Sequence, residues 1–174
     1  MSSSGRPTIR PEVPADAVAI RRLTDAAFAG AAHASGTEGA MVDALRAEGT
    51  LTLSLVAVAD GADGAVIGHV AFSPVTVAGA EIGWFGLGPV SVLPGRQREG
   101  IGAALIRNGL SRLRADGAAG CVVLGDPAYY RRFGFVHDPD LRFEDAPAEY
   151  FLRLAFAHPV PSGCVTYQPV FYTG

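Results

Sequence analysis

The 174-residue sequence predicts a single α/β (α+β) domain built on a mixed sheet. Three observations carry that expectation. Short β-rich or wholly apolar runs alternate with segments of helical period. A strand–helix–strand crossover occupies the centre, at residues 81–93, 100–116 and 121–124, which is the connection that parallel strands require. No internal repeat or linker divides the chain, and its length suits one domain with its own core.

Along the chain, Thr8-Ile9-Arg10 reads as a short strand ended by Pro11. A helix over residues 16–28 lines up Ile20, Leu23 and Ala27. Residues 30–36 form a loop, and a second helix over 37–47 turns Met41, Val42 and Leu45 inward. Thr37 is its expected cap, with Glu38 in the first turn. Strands follow at 51–59 and 65–73, joined by a turn at Asp60-Gly61-Ala62-Asp63-Gly64. The strand at 81–93 is interrupted by Gly86, Gly88 and Pro89, the mark of a bulge or a close backbone approach. The helix at 100–116 carries Leu105, Ile106, Leu110 and Leu113, and Gly117 stops it. Cys121-Val122-Val123-Leu124 reads as a buried strand, and a short helix at 128–132 leads into Phe133-Gly134-Phe135. Two tail strands are expected at 150–156 and 163–172, the second free to pair within the chain or across a homodimer.

Composition excludes several classes. Hydrophobic residues make up 49% and charged residues 18%, which argues against disorder. A net charge of -3 gives no whole-chain sign of the basic patch that nucleic-acid binding usually needs. No apolar run approaches the length of a membrane span. Residues 1–6 read as a disordered leader rather than a signal peptide, leaving 7–174 as the domain. Cys121 and Cys164 lie in apolar runs, as buried free thiols of a reducing compartment do. Neither they nor His33, His137 and His158 have metal-ligand spacing, so no metal is expected. Together these features predict a cytoplasmic protein with neither a nucleic-acid nor a membrane partner.

The chemistry concentrates in residues 90–105, Val-Ser-Val-Leu-Pro-Gly-Arg-Gln-Arg-Glu-Gly-Ile-Gly-Ala-Ala-Leu. A strand enters a loop with two arginines and two close glycines, and an amphipathic helix follows. A helix start exposes unpaired N–H groups and the positive end of its dipole, and glycines let an anion reach them. Such a turn fits a phosphate or pyrophosphate, with Arg96 and Arg98 at its rim. It is not a P-loop, because no Gly-Lys-Ser/Thr run exists. A dinucleotide fingerprint would need glycine where Leu105 stands.

Gln97-x-x-Gly100-x-Gly102, after a strand ending in Val92-Leu93-Pro94, resembles the pyrophosphate loop of the GNAT superfamily of N-acetyltransferases. Tyr130-Arg131-Arg132-Phe133-Gly134-Phe135 resembles the tyrosine-x-x-x-Gly-Phe segment that follows the next strand in that family. The run Gly125 to Tyr130 and the strand Gly68 to Pro74 look like one bacterial subgroup of acetyltransferases. The resemblance implies a splayed central pair of parallel strands flanked by helices. Acetyl-CoA would be the acetyl donor, with its arm in the gap at Gly88-Pro89.

It further implies coenzyme contacts from Val90, Ser91 and Val92 to the pantetheine. Gln97, Arg98, Glu99, Gly100, Ile101, Gly102 and Ala103 would surround the pyrophosphate, with Gln97 closing the loop. A small-molecule or peptide amine would attack the thioester in a ternary complex. An amine must first lose its proton. An N–H near Val90 would stabilise the oxyanion. Tyr130 would touch the coenzyme and protonate the leaving thiolate, with Tyr129 as the fallback. Glu38 is the assigned base, set against Glu81, His69 and a water chain. Trp84 and Phe85 border the acceptor pocket or fill the sheet face. Two alternatives remain: a non-catalytic acyl-CoA-binding regulatory module, and an enzyme for a longer acyl-CoA.

Overall fold

A computed structural model of the chain describes residues 5–32, 34–61 and 64–173. Residues 1–4 of the expected leader, His33, and Ala62 and Asp63 of the expected turn lie outside them. Six strands form the main sheet: β1 (Thr8–Pro11), β2 (Leu53–Val58), β3 (Val66–Pro74), β5 (Trp84–Val92), β6 (Gly120–Leu124) and β8 (Phe151–Ala155). Their order is β1-β2-β3-β5-β6-β8. Neighbours run antiparallel except β5 and β6, which are parallel and joined by α3 (Ile101–Ala115). A second sheet, β4-β9-β7, gathers the short strands β4 (Thr76–Val77), β7 (Leu141–Arg142) and β9 (Gly163–Thr166).

One face of the main sheet packs on α3. Ile101, Leu105, Ile106, Leu110 and Leu113 meet Val70, Phe72, Cys121 and Val123 there. Each such burial contributes about 1.5–3 kcal/mol. The approach is close: a Cβ at Gly68 would stand 2.9 Å from both Ile101 and Leu105. The opposite face is covered by α1 (Ala17–Phe28) and α2 (Glu38–Glu48), with Ile20 and Val42 against Val56. Beyond them, the small sheet and Trp84, Val122, Leu141, Phe151 and Val165 form a third cluster. Trp84 is thereby a buried filler of the sheet face, while Phe85 packs at the edge of the α3 cluster.

Several expectations change in detail. Thr37 precedes α2 but its side chain caps nothing; the Glu38 carboxylate instead accepts the Ser35 N–H at 2.8 Å. The tail strand stops at Thr166, because a 3-10 turn over Pro169–Tyr172 replaces its second half. It pairs within the chain, with β4 and β7. Glu81 lies exposed ahead of β5 rather than in it. Among the described residues no helix is long and apolar enough to cross a membrane.

Candidate active site

The parallel pair parts early. β5 and β6 are paired only at Trp84↔Gly120, Phe85↔Cys121 and Gly86↔Val122. Among the described residues β5 has no strand partner on that side from Leu87 onward, so a gap opens towards the C-terminal ends of both strands. Its local cause lies in the β3 register. Val70 faces Val90 and Phe72 faces Leu87, so Gly88 and Pro89 together stand opposite Ala71. Such an extra residue bends a strand and raises its twist, and Pro89 has no N–H to donate.

The ladder also decides which backbone groups enter the gap. Leu93 N–H donates to the Ile67 carbonyl at 2.9 Å. In an antiparallel ladder that bond brackets a pair whose own N–H and C=O point away from each other. Gly68↔Val92 is that pair, and Val70↔Val90 lies two residues on. The N–H and C=O of Val90 and Val92 therefore face the gap. Ser91, opposite His69, gives its backbone groups to β3, and its hydroxyl donates to Thr24 Oγ1 at 3.3 Å. This distinction was not readable from the sequence, because it depends on register.

The gap ends at the start of α3. Gly95, Arg98 and Gly100 all take left-handed conformations, with φ of 90°, 66° and 83°. For Arg98 this costs about 1–2 kcal/mol. Left-handed residues in a turn gather successive N–H groups into a concave array suited to an anion. Among the described residues no side chain caps the helix, so its first N–H groups have no partner from that source. An added Cβ at Gly100 would meet nothing within 4 Å, and at Gly102 nothing nearer than 3.6 Å. Gln97 Nε2 donates to the Val92 carbonyl at 3.3 Å, tying the loop to the strand. Glu99 is paired with Arg96 Nε at 2.8 Å. Arg98 has no ion pair among the described residues. The Ile101 side chain is core, so only its backbone serves the turn.

Tyr129 and Tyr130 border the gap from α4 (Pro127–Tyr130), which Asp126 caps by accepting the Ala128 N–H at 2.9 Å. Their rings meet edge to face at 5.0 Å. The Tyr129 hydroxyl lies 3.8 Å from where a Gly102 Cβ would be. Tyr130 rests against Gly125 and packs on Phe135 at 5.9 Å. Burial, then Tyr129 and Cys121, push the Tyr130 hydroxyl up to about 12. It remains an O–H donor at neutral pH.

The other candidates divide clearly. Glu38 is half-buried on α2, its carboxylate held by the Ser35 N–H and hydroxyl. His69 is fully buried, bonded to Ser54 Oγ at 2.7 Å, and burial followed by the Arg46 charge pulls its pKa down to about 3. Arg131 and Arg132 are exposed. Cys121 is buried and Cys164 half-buried, both free. Among the described residues no group of three metal-ligating side chains exists.

A splayed parallel pair ending at an uncapped, glycine-lined helix start defines an acyl-CoA-binding transferase fold. The comparisons narrow that class. The acetyltransferase (GNAT) domain profile matches residues 52–137. The N-acetyltransferase YhbS of Escherichia coli K12 is 44% identical over 127 residues, 73% of this chain and 72% of that protein. Among solved structures, a GNAT family acetyltransferase from Brucella melitensis in complex with acetyl-CoA is 55% identical. It superimposes with a TM-score of 0.84 over 94% of this chain and 97% of its own. Escherichia coli YhbS in complex with CoA superimposes with a TM-score of 0.88 at 37% identity, over 99% and 95% of the two chains. The chain belongs to the GNAT family of N-acetyltransferases.

Proposed function

We propose that this enzyme transfers the acetyl group of acetyl-CoA to a primary amine by direct attack within a ternary complex. One observation supports the reading above all: the Val90 and Val92 backbone groups turn into a gap that ends at the open start of α3. The pantetheine amides pair with Val90 and Val92 as an added strand would. The N–H groups between Arg98 and Ala103 hold the diphosphate, with Gln97 closing the loop beside Glu99, Gly100, Ile101 and Gly102. Ser91 sets the strand between its two contact residues. The two relatives crystallised with acetyl-CoA or CoA support this assignment.

Attack on the thioester places negative charge on its carbonyl oxygen, which a strand N–H near Val90 stabilises. The thiolate leaves basic, and Tyr130 O–H protonates it. Burial keeps that hydroxyl protonated. Glu38, on the helix pair that covers the acceptor-side face, takes the proton the amine must lose.

Calorimetry combined with a thiol-release assay tests the reading. Acetyl-CoA should bind, and CoA should appear only when an amine is added. Binding without amine-dependent release across a broad amine panel would instead identify a regulatory acyl-CoA-binding module. Faster release from butyryl-CoA than from acetyl-CoA would shift the donor to a longer chain.

A further inference from the structure

The closed end of the gap holds a tyrosine the reaction scheme above does not use. Gly86 is the last β5 residue paired with β6, and the Tyr167 ring lies against it. A Cβ at Gly86 would stand 2.6 Å from Tyr167 Cε1, so only glycine admits the ring there. The ring comes from the face opposite α3, wedged between Phe143 at 5.1 Å and Phe171 at 5.6 Å. Two bonds fix the tail that carries it. Gln168 Nε2 donates to the Pro74 carbonyl at 2.9 Å, and Tyr167 N–H donates to the Tyr172 hydroxyl at 3.1 Å.

For all this fixing, the Tyr167 hydroxyl is buried without a hydrogen-bond partner among the described residues. A buried hydroxyl left unpaired costs about 1–3 kcal/mol, so a rigidly held one calls for a partner outside the chain. Burial raises its pKa first, and Cys121, Tyr172 and Tyr130 add to the rise. Cε1 adjoins the ring carbon that bears the hydroxyl, so the hydroxyl lies close to Gly86, where the paired stretch of β5 and β6 ends and the gap begins.

What arrives at that end follows from strand direction. The diphosphate turn lies past Val92, and the strand runs back through Val90 and Leu87 to Gly86. A pantetheine laid along it carries its acyl group towards Gly86. We propose that Tyr167 is a further residue of the active site, its hydroxyl donating a hydrogen bond to the acyl carbonyl oxygen of the bound thioester. This rests on the function proposed above. A water shared with Ser73, whose buried hydroxyl beside Gly86 also has no partner among the described residues, is the competing account.

Titration of the full-length protein and its Tyr167→Phe variant with acetyl-CoA and with CoA separates the two. The wild type should hold acetyl-CoA roughly fivefold tighter than CoA, the size of one neutral hydrogen bond. Tyr167→Phe should erase that preference, leave CoA affinity unchanged and not lower the unfolding temperature. It should also reduce kcat rather than raise KM. With a 13C-labelled acetyl group, the carbonyl stretch should move to higher frequency in the variant. An acetyl-CoA preference that survives the substitution overturns the proposal, as does a wild type that binds the two ligands equally. Failure of the wild type to bind either ligand would overturn the parent function as well.

Discussion

The Tyr130 ring rests on Gly125: a Cβ there would overlap the ring edge at Cε2. Gly125 follows the last residue of β6, so this contact sets the acid at the rim of the gap. Tyr130→Phe keeps ring and contact and removes only the hydroxyl. Turnover should fall by about 100-fold or more, the usual worth of a general acid, while CoA affinity from calorimetry stays within about twofold. The pH profile has a definite sign. The acid form is present below the folded pKa, near 12, so the wild type should show no loss of kcat from Tyr130 as pH passes the ordinary value of 10.0. An alkaline fall at that ordinary value, absent from the Phe variant, would remove the burial argument.

At the other end of the gap, Gly102→Glu should separate coenzyme binding from stability. Gly102 has ordinary helical space around it, with Val92 and the Tyr129 hydroxyl at van der Waals distance from an added Cβ. A carboxylate in a first helical turn favours the helix by about 0.3–1 kcal/mol. Placed among diphosphate donors, it opposes the ligand by about 2 kcal/mol or more, roughly thirtyfold in Kd. Unfolding temperature should hold or rise while CoA affinity collapses, and Gly102→Ala should change neither much. Intact affinity in the Glu variant would move the diphosphate elsewhere.

How far the sequence foretold this site varies by position. The crossover was legible because its elements are local: a β-rich run, two glycines, a helical stripe over Leu105, Ile106, Leu110 and Leu113, and an apolar strand. The diphosphate turn was legible for the same reason, since its N–H donors and its glycines are neighbours in the chain. Register was not. Whether Val90 or Ser91 turns its backbone into the gap depends on pairing with residues about twenty positions upstream. The strands β4 and β7 are two residues long, too short for any period, and exist because β9 lies between them. Tyr167 and Ser73 meet at Gly86 only once the tail has docked, so no spacing announces them. In the tail itself, a strand was expected to run to Tyr172, but Pro169 cannot continue the ladder and a 3-10 turn wins.

His69 should make the fold acid-sensitive. Its folded pKa is near 3 because burial, then the Arg46 charge, oppose ionisation, against a model-peptide value of 6.5. Above that value both states are neutral and nothing is gained. As pH falls through it, the unfolded chain takes a proton that the folded chain refuses, so stability drops by up to about 1.4 kcal/mol per pH unit. The loss ends only near the folded value. Asp16 and Asp138 act lower, since their depressed pKa values release stability as pH falls below 3.8. The interval between 6.5 and 3.8 therefore belongs largely to His69. Chemical denaturation across it should show this slope, and His69→Gln should flatten it. An unchanged slope would mean that water already reaches the imidazole.

Gly125, just past the end of β6, allows a sharper test of how the acid is held. If Gly125 serves only to seat the Tyr130 ring, Gly125→Ala should push the hydroxyl off its position and lower kcat, since misplacement by about 1 Å can cost about 100-fold. CoA affinity, set at Val90, Val92 and the α3 start, should stay within about twofold. In the Tyr130→Phe background no hydroxyl remains to misplace, so the added Cβ should cost little further turnover. The double variant should then match Tyr130→Phe alone, a strong departure from additivity of the kind expected for side chains in contact. Independent, multiplying losses would show that Gly125 acts on the reaction by another route, through the β6 terminus rather than through the tyrosine.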